Sequence, residues 1–185
     1  MASSKGARIR LHLKKVVLRQ REHMDMTELL LRFFEFDGWA NQETLRSLDT
    51  MTNPPERAVA LMAHIAATQR VWLERALSLP QSVAVWPQWS LSETAKELSG
   101  VLGEWTRLIA TDDLSREFAY KNTKGQEFWN RLSDVALHVA FHGVYHRGQI
   151  AALVRQHGGQ PAYTDFIQAV RTEAVKGELY RRFRV

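Results

Sequence analysis

The sequence predicts an all-α protein: a four-helix bundle with a short hairpin or extended excursion before its fourth helix. Three observations carry this. Apolar residues recur at helical spacing through four long stretches. Proline, glycine and capping residues punctuate those stretches. One segment, "SREFAYKNTKGQEFWNRL", breaks the helical period before it resumes.

The first helix starts near Thr27, with Glu28 in its first turn. It runs through "ELLLRFFEFDGWANQETLRSL", where Leu30, Phe33, Phe34 and Leu45 recur at helical spacing. "DTMTNPPER" ends it. Asn53 is expected to accept from the free amides of the second helix, with Pro54 and Pro55 in a first turn that needs no donor. That helix spans roughly Pro54 to Leu77, and "SLPQSVAVWPQW" follows it as a loop. Ser90 and Glu93 match a capping box, in which each side chain serves a backbone amide near the other. The third helix, "ETAKELSGVLGEWTRLIA", ends near Thr111. Phe118 and Tyr120 then alternate with polar residues, and "NTKG" makes a turn before Phe128, the pattern of a hairpin. The fourth helix begins after Ser133 and runs to His157, where Gly158 and Gly159 stop it. A last helix starts at Thr164, with Asp165 in its first turn. Four amphipathic helices of this length pack as a bundle, and such bundles build ligand sites from side chains on facing helices.

At 185 residues the chain can bury roughly two-thirds of its unfolded surface as one domain. It contains no cysteine. That excludes disulfides, thiolate zinc sites and a cysteine nucleophile, and it leaves nitrogen and oxygen as the metal ligands. The net charge of +5 is concentrated in a tail: seven basic residues and one acidic residue, Glu22, precede Met24. The remainder is close to neutral and carries no polyanion-binding signature, so nucleic acid is not an expected partner. Residues 1–23 read as a disordered basic extension, and 24–185 as the helical domain. The tail superficially resembles an organelle transit peptide, but it holds no apolar run long enough for a signal-peptide core or a membrane span. A cytoplasmic location without a membrane partner is the expectation.

The chemistry concentrates in "HVAFHGVYHRGQ". His138, His142 and His146 follow one another at four-residue spacing, about 40° round the helix and one turn higher each time. Either adjacent pair can hold one ion. All three cannot, because His138 and His146 are about 12 Å apart along the axis. A pair needs further ligands, and His64 in "LMAHIAATQ" is the other histidine within a convincing amphipathic helix. If the second and fourth helices are neighbours, His64 completes a facial set with a position open to solvent, as in catalytic rather than closed structural sites. No glutamate stands where the H-E-x-x-H pattern puts its base, so peptidase chemistry is not expected.

The stretch "HVAFHGVYHRGQIAALVRQHGGQPAYTDFI" resembles the C-terminal signature of the DinB family of metal-binding helical bundles, the damage-inducible family unrelated to the polymerase of that name. The likeness extends to "RFFEFDGWANQETLRSL" and to His64 followed by Trp72, and it covers roughly Thr27 to Ile167. It implies an up-down-down-up bundle, often dimeric, that holds a divalent metal through three histidines. Carried onto this sequence, those are His64, His142 and His146, with His138 left as a buried or supporting residue. Arg147 and Gln149 are expected to make structural salt bridges or hydrogen bonds, Gly148 to permit close helix packing, and Tyr145 to pack with its hydroxyl paired. Trp39 and Asn41 could line the pocket.

Two functions follow. One is a metal-dependent enzyme of the thiol S-transferase or hydrolase type, acting on a small molecule. Zinc, nickel or iron would serve as Lewis acid, and a low-molecular-weight thiol would supply the sulfur that the chain lacks. The alternative is a non-catalytic, metal-stabilised bundle that binds a stress-related ligand or partner. Either is expected as a homodimer.

Overall fold

The computed structural model describes residues 25–177; the expected extension, 1–23, lies outside them. Four long helices, α1 (Met26–Asp49), α2 (Glu56–Ala76), α3 (Leu91–Thr111) and α4 (Leu132–Gln156), form the bundle. Between α3 and α4 the expected hairpin is present, with strands β1 (Glu117–Lys121) and β2 (Glu127–Arg131) pairing antiparallel. A short helix, α5 (Phe166–Arg171), follows.

Side-chain contacts give the helix directions. Phe33 meets Phe141 and Asp37 meets Arg147, so α1 and α4 run parallel. His64 faces His142 and His146 while Trp72 faces His138, so α2 runs against α4. Arg70 reaches Glu97 and Glu104, and Trp105 donates to the Gln69 carbonyl, which places α3 beside α2. Consecutive helices α1 and α2 therefore lie diagonally, each packed on α3 and α4. This is the up-down-down-up arrangement. It obliges the connection from α2 to α3 to travel back along the bundle, past the middle of α2.

Local signals set most boundaries. Asp25 accepts from the Glu28 amide at 2.7 Å and starts α1 slightly earlier than Thr27. The Ser90–Glu93 capping box forms in full. Gly158 at φ +76° ends α4 in the left-handed conformation that favours glycine. Asn53 does not cap α2. Pro55 occupies the N-cap with extended backbone and no side-chain hydrogen bond, which leaves Asn53 two residues too far upstream. The last helix begins at Phe166, past Thr164.

The core divides along the bundle. One cluster joins Leu30, Phe34, Leu73, Trp105, Ile109 and Leu132 near the hairpin. A second joins Leu48, Leu61, Met62, Ile65, Ile150 and Val154 at the other end. Between them lies a polar layer, and beside that layer is the histidine site.

Candidate metal centre

Each histidine is delivered by a long helix, so its position is inherited from packing rather than from a loop. His64 is buried in the middle of α2; His142 and His146 are one turn apart on α4, both half-buried. One ring nitrogen from each lies within 4.8 Å of those of the other two. The ring centroids are 4.9 Å apart for His64 to His142, 4.9 Å for His64 to His146 and 4.4 Å for His142 to His146. No carboxylate joins this group among the described residues.

Hydrogen bonding assigns the tautomers. His64 Nδ1 lies 2.8 Å from the Val85 carbonyl oxygen, which can only accept. Nδ1 therefore carries the proton and Nε2 offers a lone pair. His146 Nδ1 lies 2.8 Å from Gln149 Oε1, which imposes the same tautomer. Partners of this kind orient metal-ligating imidazoles and raise their basicity. His142 makes no hydrogen bond to a described residue, so its ring is uncommitted.

Burial favours the neutral imidazole at His142 and His64. Burial, followed by the adjacent rings of His146, His64 and His138, pushes the His142 pKa down to about 3. Burial also lowers that of His64; the Val85 carbonyl opposes the shift, and His146 and Arg57 add to it. Neutral imidazole is the form that binds a metal. In its donor types and in the tautomers of His64 and His146 the set fits a divalent ion.

The long α2–α3 loop supplies what the sequence did not reveal. Buried Glu74 accepts from the Ser82 amide at 3.0 Å and anchors the start of the loop. Val85 then reaches His64, and the Trp86 ring stacks on the His64 ring at 3.8 Å, with 2° between planes. Nothing in "SLPQSVAVWPQW" marks Val85, because a backbone carbonyl carries no sequence signature.

The remaining expectations divide. His138 is outside the cluster, as anticipated, but it is exposed rather than buried, its ring edge-on to Trp72 at 5.2 Å. Tyr145 is 65% exposed, 5.0 Å from the His146 ring, with no hydrogen bond from its hydroxyl to a described residue. Trp39 packs with Phe36, away from the histidines. Asn41 belongs to a buried network instead. Asp37 accepts from Arg147 through Oδ1, and its Oδ2 accepts from Asn41 at 2.8 Å and from Gln69 at 2.6 Å. Asn41 Oδ1 accepts from Arg147 at 2.7 Å. Arg147 thus makes the structural ion pair, and Gln149 the structural hydrogen bond, that their positions suggested.

The close approach expected at Gly148 occurs at Gly143. A Cβ at Gly148 would meet nothing within 4 Å, whereas one at Gly143 would lie 2.8 Å from Arg147 Nη1 and closer still to Asp37 Oδ1. Gly143→Ala should lower stability by up to about 2 kcal/mol in urea unfolding: overpacking costs about 1–3 kcal/mol, and alanine's helix advantage of about 1 kcal/mol offsets part of it. An unchanged or raised midpoint would show that the network moves aside freely.

Fold and site together define a class: a helical bundle of crossed connectivity in which facing helices bring three imidazoles to one point. The chain belongs to the DinB family, whose model matches residues 15–178. It is similar to Protein DinB of Bacillus subtilis (strain 168), with 24% identity over 162 residues, covering 76% of this chain and 93% of that protein. Among the described residues no helix is long and apolar enough to cross a membrane.

Proposed function

We propose that this protein is a divalent-metal-dependent enzyme of the thiol S-transferase or hydrolase type, with His64, His142 and His146 as the metal ligands and zinc, nickel or iron as the ion. The observation that carries the reading is the convergence of three imidazoles, two of them held by Val85 and Gln149 with the bare nitrogen available. A bound ion supplies Lewis acidity and lowers the pKa of a coordinated thiol or water toward neutrality. The chain's own groups orient His64 and His146, keep His142 unprotonated by burial and cover His64 with Trp86. With no fourth protein donor in the cluster among the described residues, a small molecule has room to coordinate. The thiol must come from outside, since the sequence has no cysteine.

The structural alternative, an ion that only staples α2 to α4, has one observation in its favour: the donors come from both of those helices. Cobalt-loaded protein separates the two readings. For the enzyme, a low-molecular-weight thiol should produce a near-ultraviolet thiolate-to-cobalt band that disappears in His142→Ala. An unaltered cobalt spectrum at saturating thiol favours the staple.

The homodimer belongs to the same proposal. Phe141, Val144 and Tyr145 form an exposed apolar stripe on α4, with Phe166 and Ile167 of α5 also exposed. Contiguous exposed apolar surface of this kind marks association sites. Sedimentation equilibrium should give twice the chain mass, falling toward the monomer in Phe141→Glu. A monomer in the unsubstituted chain would remove the dimer.

A further inference from the structure

Arg57, His64 and Arg75 share one face of α2, because spacings of seven and eleven residues are close to two and three helical turns. The remaining arginine of that helix, Arg70, faces α3. Its Nε donates to Glu97 at 2.6 Å and its Nη1 to Glu104 at 2.8 Å. Arg116 and Arg147 likewise meet Asp112 and Asp37. Arg75 differs. It is half-buried, and its guanidinium makes no hydrogen bond or ion pair to a described residue. Its guanidinium lies 4.7 Å from the Trp72 ring centroid and 5.1 Å from that of Tyr120. Tyr120 is itself held, its hydroxyl donating to Asn130 at 2.9 Å.

Aromatic rings attract the faces of a guanidinium and leave its in-plane N–H donors unspent. Those donors form the planar fork that matches a carboxylate. Partial desolvation without a counter-ion costs free energy, and an external anion would offset that cost. The position is also connected to the histidine centre. Trp72 packs against His138 at 5.2 Å, and His138 lies 5.8 Å from His142. Arg75 lies about 16 Å along the helix axis from His64, and long helical side chains lean back toward the N-terminus, here toward the histidines.

We infer that Arg75, fixed between Trp72 and Tyr120, recognises the carboxylate of a small acidic substrate whose other end reacts at the three-histidine centre, along a path lined by Trp72 and His138. This rests on the metal-site reading above. Arg75 is a substrate-binding residue in this scheme, and the substrate class is an elongated carboxylate rather than a compact neutral molecule.

The test uses the full chain loaded with nickel. The titrants are a linear hydroxamate ending in a carboxylate and its methyl ester, compared by calorimetry. The acid should bind about tenfold or more tightly than the ester, the scale of a charge-assisted hydrogen bond. Arg75→Gln should erase that preference, while Arg107→Gln, the same charge change at an exposed position on α3, should keep it. Equal affinity for acid and ester in the unsubstituted chain overturns the inference, with ester binding lost in His142→Ala showing that the metal centre itself is sound. A metal-free arm decides the matter even if nickel is not retained. The Arg75 Nε–Hε resonance, assigned by its loss in Arg75→Gln, should shift with the acid and not with the ester. A resonance that ignores both overturns the role of Arg75.

Discussion

Replacing His142 by alanine should abolish stoichiometric binding of a divalent ion, measured by elemental analysis after dialysis of metal-loaded protein. His64→Ala and His146→Ala should do the same, while His138→Ala keeps the metal. The physical reason is the size of the donor set. Three imidazoles converge and no carboxylate among the described residues joins them, so each substitution leaves two nitrogens, too few for a stable protein site. Supporting contacts give an intermediate result. Gln149 accepts from His146 Nδ1 at 2.8 Å, and loss of such a partner weakens metal affinity about 10–100-fold. Gln149→Ala should therefore retain metal at high concentration and lose it on dilution. His138 makes the contrast sharp: it has the same residue type and spacing, yet its ring turns to Trp72, outside the cluster. Loss of the ion in His138→Ala, with retention in His146→Ala, would reverse the assignment of the pair.

Much of this arrangement was legible in the sequence because it is written in periodicity. The four helices, the Ser90–Glu93 box and the stop at Gly158 rest on local patterns with one physical outcome. The alternation about Phe118 and Tyr120 likewise showed the hairpin, although only Phe118 became buried. The histidine geometry was readable for the same reason. Helical rise allows only one adjacent pair to chelate, and His64 was the remaining histidine on a suitable helix. Family resemblance, not spacing, chose between the pairs.

What stayed hidden depends on contacts distant in sequence. Val85 and Trp86 reach His64 across 21 and 22 residues, through a loop whose course is set by the bundle's connectivity. Gly143 and Gly148 look alike in the sequence, and only the crossing of α1 reveals which must lack a side chain. Tyr145 was expected to pack with its hydroxyl paired, but its angle on α4 faces away from the core. Asp37, four residues before Asn41, gave no sign that its partner was Arg147, 110 residues away.

That partnership carries the largest stability effect expected here. Arg147→Met should destabilise the protein by about 3–5 kcal/mol, the cost of leaving one member of a buried ion pair uncompensated. For a domain of this size that is a melting temperature lower by roughly 10 °C. Arg147 and Asp37 are each only 3% exposed in their side chains, so water cannot replace the missing charge. Asn41 and Gln69 would still donate to Asp37, but neutral amides do not replace a cation in a medium of low polarity. The pair itself is an expensive way to fill the core. Arg147 Nη2 is buried without a hydrogen-bond partner among the described residues, a desolvation loss that the native structure already bears. The double variant Asp37→Leu with Arg147→Met should therefore recover much of the stability lost in the single variant, since apolar replacement of both partners removes the stranded charge. Denaturant unfolding of the two singles and the double closes the cycle. Additive losses would show that the two side chains act independently, and that the layer between the two apolar clusters is not held by this ion pair.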